Sequence, residues 1–241
     1  ALAGGARFDK TYDGNADVTQ SLTKGTHYTL TGFVGTEGTG IGLSSATGKY
    51  TDKNAGTDKS VRFDGLRLTG AGADNYAPDK TALTGTGTIA RRALTLGAVE
   101  AQTKTYDGNT AADTSKFRAG LNHTVAGDDV KAAAAGAAYN DKNVARANRI
   151  DYTGLTLAGA DAGNYTLAAG AAEGAGTITR RMLTFDGVTV QTKTYDGNTA
   201  ADASKFRGAL AGVVKGEENS VSATAAGAAY NDKNVARANT V

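Results

Sequence analysis

Lys10-Thr11-Tyr12-Asp13-Gly14-Asn15 recurs without change at Lys104–Asn109 and at Lys193–Asn198. Other landmarks keep step with it. Tyr-x-Asp-Lys-Asn stands at Tyr50–Asn54, Tyr139–Asn143 and Tyr230–Asn234, and Asn-Tyr at Asn75–Tyr76 and Asn164–Tyr165. Thr-Ile-x-Arg-Arg closes the first two units at Thr88–Arg92 and Thr177–Arg181. From the first copy to the second, the last three landmarks each move by 89 residues, while Tyr12 to Tyr106 is 94. The first unit therefore carries five extra residues, all between Tyr12 and Tyr50. Landmarks in fixed order at a fixed period define a tandem array. The units are 1–92, 93–181 and 182–241, the last lacking Asn-Tyr and Thr-Ile-x-Arg-Arg. That shortfall predicts a piece of a longer array.

A period near 90 residues exceeds the roughly 30–45 of helical solenoids and suits small modules with their own cores. The 241 residues include 33 Gly, one Pro, one Met and no Trp, and much of the apolar fraction is Ala. Large core side chains are thus few per module, and each module should be only moderately stable. Lys and Arg number 26 against 24 Asp and Glu, a formal charge of +2 with the signs interspersed. Nucleic-acid partners demand clustered basic residues, so none is expected. The absence of Cys removes disulfides and thiolate metal sites. No apolar run approaches the roughly 20 residues of a membrane helix, so membrane insertion is not expected, and any targeting segment is expected to lie outside this stretch.

The module 93–181 reads as strands and turns. Leu94, Leu96 and Val99 form a β-like segment, and Asp107-Gly108-Asn109 is a turn, with Gly available for positive φ. Ala111–Leu121 has the only helical leaning and predicts one or two helical turns. Ile150 and Tyr152 alternate with polar residues as in a half-buried strand. After Gly154 the apolar parity shifts to Leu155 and Leu157, and Val61, Phe63, Gly65, Leu66 and Leu68 repeat the shift, which predicts a β-bulge at the glycine. Tyr165–Leu167 and Gly176–Arg181 complete the set. Neither junction, Thr88–Leu96 or Thr177–Phe185, contains Gly or Pro. Flexible tethers are Gly/Ser-rich, so the array should behave as a semi-rigid rod.

Chemistry-bearing patterns are sparse. Tyr12, Tyr106 and Tyr195 are expected to pack their rings and hydrogen-bond their hydroxyls beside a turn, because an enzyme rarely needs three tandem active sites. Asp52, Asp141 and Asp232 lie in Asn/Lys-rich turns, and Asp74 and Asp161 precede the Asn-Tyr pairs. None fits a known calcium loop, and the adjacent Lys opposes a cation. Asn122 and Asn164 match N-x-[ST], which reads as coincidence. His27 and His123 have no Cys or nucleophile partner. No catalytic, cofactor-binding or metal-ligating residue is expected, and no cofactor.

The set K-T-Y-D-G-N-T, Y-N-D-K-N-V, G-L-T-L-A-G-A-D-A-G-N-Y and G-T-I-T-R-R resembles the YDG-type repeat module, related to the glycine-rich MBG modules. The resemblance covers essentially the whole chain. It departs in the first module, where Ala16 replaces Thr110, Thr51 replaces Asn140 and Pro78 lies near the position of Leu167. Such modules recur in very large bacterial surface proteins, notably filamentous-haemagglutinin-like adhesins exported by two-partner secretion. The resemblance implies an extracellular, Gram-negative setting at the outer-membrane surface and a stalk or adhesin role. Any host-cell or bacterial receptor would be met through other parts of the parent protein.

The expected fold is all-β: tandem small two-layer β modules joined end to end, each of about five to seven strands with at most one short helix. The alternative is a β-grasp-like α+β module, with Ala111–Leu121 a true helix across the sheet. The expected function is a structural stalk or spacer repeat, and the alternative is that the repeats themselves bind a host glycan or protein. Enzymatic activity is not expected.

Overall fold

The computed structural model describes residues 6–241. The first repeat contains β1 (Lys10–Thr11), β2 (Gly42–Ser44), β3 (Lys49–Tyr50), β4 (Gly56–Asp64), β5 (Arg67–Thr69) and β6 (Ala82–Ala90). The second contains β7 (Arg92–Val99), β8 (Gln102–Thr105), β9 (Ala119–Asn122), β10 (Lys131–Ala133), β11 (Gly136–Tyr139), β12 (Arg149–Thr153), β13 (Thr156–Ala158), β14 (Tyr165–Leu167) and β15 (Ala171–Thr179). The third contributes β16 (Thr184–Val188), β17 (Ala200–Ala201), β18 (Gly208–Ala211) and β19 (Ala228–Ala229). Among the described residues there is no α-helix, only short 3₁₀ turns. The protein is all-β and modular, as its alternating apolar pattern predicts.

The modules share a topology. The order β1-β6-β4-β3 in the first is matched by β8-β15-β12-β11 in the second, and the pair β2-β5 by β10-β13. In both, the closing strand runs parallel to the Lys-Thr-Tyr strand: Lys10 opposes Ile89, and Lys104 opposes Ile178. Ile89 and Ile178 are each 1% exposed, which places this pairing at the core. β6 and β7 are separated by Arg91 alone, so no linker intervenes there.

Two sequence expectations are corrected. Ala111–Leu121 is not a helix: Thr114–Lys116 makes one 3₁₀ turn, and β9 follows immediately. The Asp113 side chain accepts the Ser115 backbone N–H at 2.9 Å and closes the turn locally, a competition with helix typical of Asp. The chain then turns extended at Phe117, whose ring packs 4.6 Å from that of Tyr152. With no helix to cross the sheet, the β-grasp-like alternative falls. The second correction concerns Gly65 and Gly154, which have φ +63 and +62. They do not bulge within a strand. Each ends one strand and starts another in a different sheet: β4 pairs with β3 and β6, whereas β5 pairs with β2. The shift of apolar parity marks a change of sheet at a left-handed corner that glycine adopts readily.

The chain forms two compact units. One comprises residues up to Ala101, Asp113–Ala138 and Ile150–Ala175; the other comprises Gln102–Ala112, Tyr139–Arg149 and Gly176–Val241. Neither coincides with one repeat. The first joins module 1 to much of module 2, and the second joins the remainder of module 2 to module 3. In the first unit, buried Phe8, Tyr12, Tyr28, Tyr50, Val61, Phe63, Ile89, Leu94 and Tyr165 form one core drawn from both repeats. In the second, Lys193–Tyr195 form no strand, unlike Lys10–Thr11 and Gln102–Thr105. Their counterpart of the Thr-Ile-x closing strand is not in the sequence.

Candidate functional site

The recurring hexapeptide folds the same way three times. Lys10 Nζ donates to Asp13 Oδ1 at 2.7 Å, to the Asn15 carbonyl at 2.9 Å and to Asn15 Oδ1 at 3.0 Å. Lys104 repeats these bonds to Asp107 and Asn109 at 2.7, 2.9 and 3.1 Å. Lys193 bonds the Asn198 carbonyl and Oδ1 at 2.9 and 3.0 Å and pairs with Asp196 at 2.8 Å. The glycines Gly14, Gly108 and Gly197 sit at φ +85, +83 and +80. The same ammonium lies over the tyrosine of the second motif: Lys10 over Tyr50, Lys104 over Tyr139 and Lys193 over Tyr230, at 5.7, 5.3 and 5.5 Å. Such cation–π contacts bind the two motifs within each module.

The tyrosine of the turn faces outward from its own module. Within the first unit, Tyr12 donates its hydroxyl to Asp128 Oδ2 at 2.8 Å, and Tyr165 donates to the same oxygen at 2.6 Å. Lys53 reaches Asp128 Oδ1 at 3.4 Å and Asp161 Oδ1 at 3.5 Å. The Val125 N–H donates to the Tyr165 hydroxyl at 2.9 Å, so that oxygen both accepts and donates. The Tyr12 and Tyr165 rings meet edge to face, 5.3 Å apart. Asn164, only 5% exposed, accepts the Ala55 N–H at 2.9 Å and donates to Asn54 Oδ1 at 3.2 Å. A Cβ on Gly14 would stand 2.6 Å from Val125 Cγ1, so only glycine permits that approach. Tyr12, Gly14, Lys53 and Asn54 belong to module 1; Val125, Asp128, Asn164 and Tyr165 belong to module 2.

The charges are settled by this geometry. Burial alone would raise the Asp128 carboxyl, but hydrogen bonds from Tyr165, Tyr12 and Lys53 outweigh it and hold the group below the usual carboxylate range. Burial, then the bond to Asp128, raises Tyr12 and pushes Tyr165 up to about 12. The Lys53 ammonium is raised, first by its contact with the Tyr12 hydroxyl and then, against burial, by Asp128. Asp128 therefore stays a carboxylate, Lys53 an ammonium, and Tyr12 and Tyr165 neutral phenols through the physiological range.

The second unit contains part of this clasp one repeat later, without counterparts of Asn164 and Tyr165. Tyr106 donates to Glu217 Oε1, and Lys142 donates to that oxygen at 3.3 Å. A Cβ on Gly108 would stand 2.7 Å from Val214 Cγ1. Val144, Leu183, Val213 and Val221 line a cleft beside this contact. Glu217 is lowered, first by the Tyr106 hydrogen bond.

Sequence reasoning thus places the tyrosines correctly as packed, hydrogen-bonded groups at Tyr12 and Tyr106, whereas Tyr195 is 57% exposed. It misses the partners of Lys53, Lys142, Asp128, Glu217 and Asn164, reading the lysines only as charges that oppose a cation and Asn164 only as half of a recurring Asn-Tyr landmark. Asp128 and Glu217 stand 89 residues apart, one period, and that spacing is the signal for them. Asp52 and Asp141 accept the N–H of Asn54 and Asn143 at 2.8 and 2.7 Å, which closes their turns locally. Among the described residues, no group of three or more His, Cys, Asp or Glu could hold a metal ion. Among them no helix is long and apolar enough to cross a membrane. The YDG domain matches the chain three times, over residues 1–83, 90–172 and 179–241. No curated protein and no solved structure matches it.

Proposed function

This chain belongs to the YDG domain family, and from that membership and its clasped junctions we propose that it is a run of spacer modules in the stalk of a bacterial cell-surface adhesin. In this reading it is exported, lies outside the outer membrane and holds a distal binding region away from the cell. The supporting observation is where the recurring side chains go. Lys10 and Asn15 build a turn, while Tyr12 and Lys53 reach a carboxylate of the next module; Tyr106 and Lys142 do the same at Glu217. The repeated chemistry is taken up in coupling one module to the next, which is what a load-transmitting spacer needs and a catalyst does not. Two tests apply. An antibody against the chain is expected to label intact, unpermeabilised cells that produce it. The purified chain is expected to show no saturable binding to host glycans or matrix proteins. Labelling only after permeabilisation would refute the surface location, and saturable binding to either ligand class would refute the spacer role.

A further inference from the structure

Two phenols from different modules end on one oxygen at the first junction. The Tyr12 and Tyr165 hydroxyls both donate to Asp128 Oδ2, at 2.8 and 2.6 Å. The ortho carbons of a phenol flank its hydroxyl, so the oxidisable edges of the two rings converge on that oxygen. The ring centroids lie 5.3 Å apart with the planes at 78°, edge to face. Both rings are buried, and the Val125 N–H donates to the Tyr165 hydroxyl at 2.9 Å and fixes it further. A phenol that loses an electron becomes a strong acid, and the Asp128 carboxylate is in place to take its proton. The other Asp128 oxygen meets the part-exposed Lys53 ammonium at 3.4 Å, which connects the carboxylate to solvent. With no Cys in the chain, no thiol intercepts an oxidant first.

We propose that Tyr12 and Tyr165 form an oxidative cross-linking site, where a one-electron, outer-sphere oxidant joins the two rings carbon to carbon and locks the first junction covalently. Two equivalents of oxidant each take one electron, one from each ring. The phenolic protons pass in turn along their hydrogen bonds to Asp128 and on to water. The two phenoxyl radicals then pair their electrons in one new bond between ortho carbons, after one ring has turned out of the edge-to-face arrangement. Each bonded carbon gives up its hydrogen as a proton, each ring oxygen takes one back, and both phenols are restored. The product is lighter by two hydrogen atoms. Burial holds the radicals beside each other and away from other chains, which favours the intramolecular bond. The bond closes a long loop in the unfolded chain, from residue 12 to residue 165, and so stabilises the folded state. The inference rests on the geometry of the junction and not on the spacer role.

The test oxidises the folded chain at micromolar concentration with a photogenerated ruthenium(III) polypyridyl complex and maps the products by proteolysis and mass spectrometry. Tyr195→Phe is the parent protein, because Tyr195 is an exposed phenol open to coupling between chains. The expected product is a linked pair of peptides carrying Tyr12 and Tyr165, lighter than their sum by two hydrogen atoms. Dityrosine fluorescence and a raised melting temperature should accompany it. Tyr12→Phe and Tyr165→Phe should each abolish the pair, and so should unfolding in urea before oxidation. Asp128→Asn keeps the size of the group but removes the proton acceptor. In chains that circular dichroism shows to be folded, it should slow formation of the pair by about a hundredfold. Recovery of the Tyr12 and Tyr165 peptides unlinked, after other tyrosines have reacted, would overturn the proposal. A pair that forms equally well in urea, or at an undiminished rate in folded Asp128→Asn, would overturn it too.

Discussion

Removing one hydroxyl at the first junction should uncouple two modules measurably. Tyr12→Phe keeps the ring, which is fully buried and packed against Tyr165, and deletes the hydroxyl's bond to Asp128 together with its contact with Lys53. A hydrogen bond to a charged group contributes about 1.5–3 kcal/mol net. The Asp128 side chain is 5% exposed, so water cannot readily replace the lost donor, and the expected loss is about 2 kcal/mol. For a cooperative unit of this size that lowers the melting temperature by roughly 4–8 °C. Asp128→Ala strips the acceptor from two phenols and one ammonium and should cost about 3 kcal/mol or more. The decisive measurement is the double-mutant cycle, read from urea unfolding of the four proteins. Because both changes break the same bond, the double variant should be little worse than Asp128→Ala, leaving a coupling of about 1.5 kcal/mol. Additivity within about 0.5 kcal/mol would refute the clasp.

Gly14→Ala meets two penalties, a left-handed backbone and a clash with Val125, whereas Gly197→Ala meets only the first. In thermal melts the former should be worse by about 1–3 kcal/mol, and equal effects would remove the close approach at the junction. The pH dependence has a definite sign. Asp128 is depressed, so its contribution is present above about pH 4 and fades as pH falls through the folded value. Tyr165 is raised to about 12, so its contribution is full below about pH 10 and fades as pH climbs toward 12. The stability gap between wild type and Asp128→Ala should therefore be flat from about pH 5 to 9 and shrink at both extremes, and a gap that changes near neutrality would contradict the assignment. In hydrogen exchange of the monomer, residues beyond about Gly187 should exchange fast and β12 and β15 slowly, because module 3 has only the short pairs β16–β18 and β17–β19. Equal protection in both regions would show that the partial module is stable alone.

The strand pattern was legible where burial is one-sided. Ile150 and Tyr152 alternate with polar residues and are both fully buried, and Tyr165–Leu167 is a strand as its composition suggests. Two local readings failed because one signal has two causes. A parity shift at glycine accompanies either a bulge or a change of sheet, and only the pairing of β5 with β2 decides. Ala, Asp, Thr, Ser and Lys over 111–116 suit a helix, yet the Asp113 carboxylate caps a single turn and Phe117 leaves it for the core. The clasp was harder still. Tyr12 and Asp128 lie 116 residues apart, and the acceptor changes from Asp128 to Glu217 between junctions, so identity matching passes over it. Only charge at a fixed offset carries it, and Lys53 and Lys142 read only as turn lysines that oppose a cation until their partners are in place.

The parallel pairing of β1 with β6, and of β8 with β15, has a mechanical consequence. A pull along the chain drags the Lys-Thr-Tyr strand toward the N-terminus and the closing strand toward the C-terminus. Parallel neighbours drawn that way slide along each other. The slanted, evenly spaced bonds of Gln102–Thr105 against Gly176–Thr179 are then strained together in shear. In a hairpin pulled at its open ends, the bonds would yield one after another. Each complete module thus meets tension with a row of bonds sharing the load, and rupture is governed by the unfolding barrier rather than by equilibrium stability. A module can in this way make a strong link whatever its thermal stability.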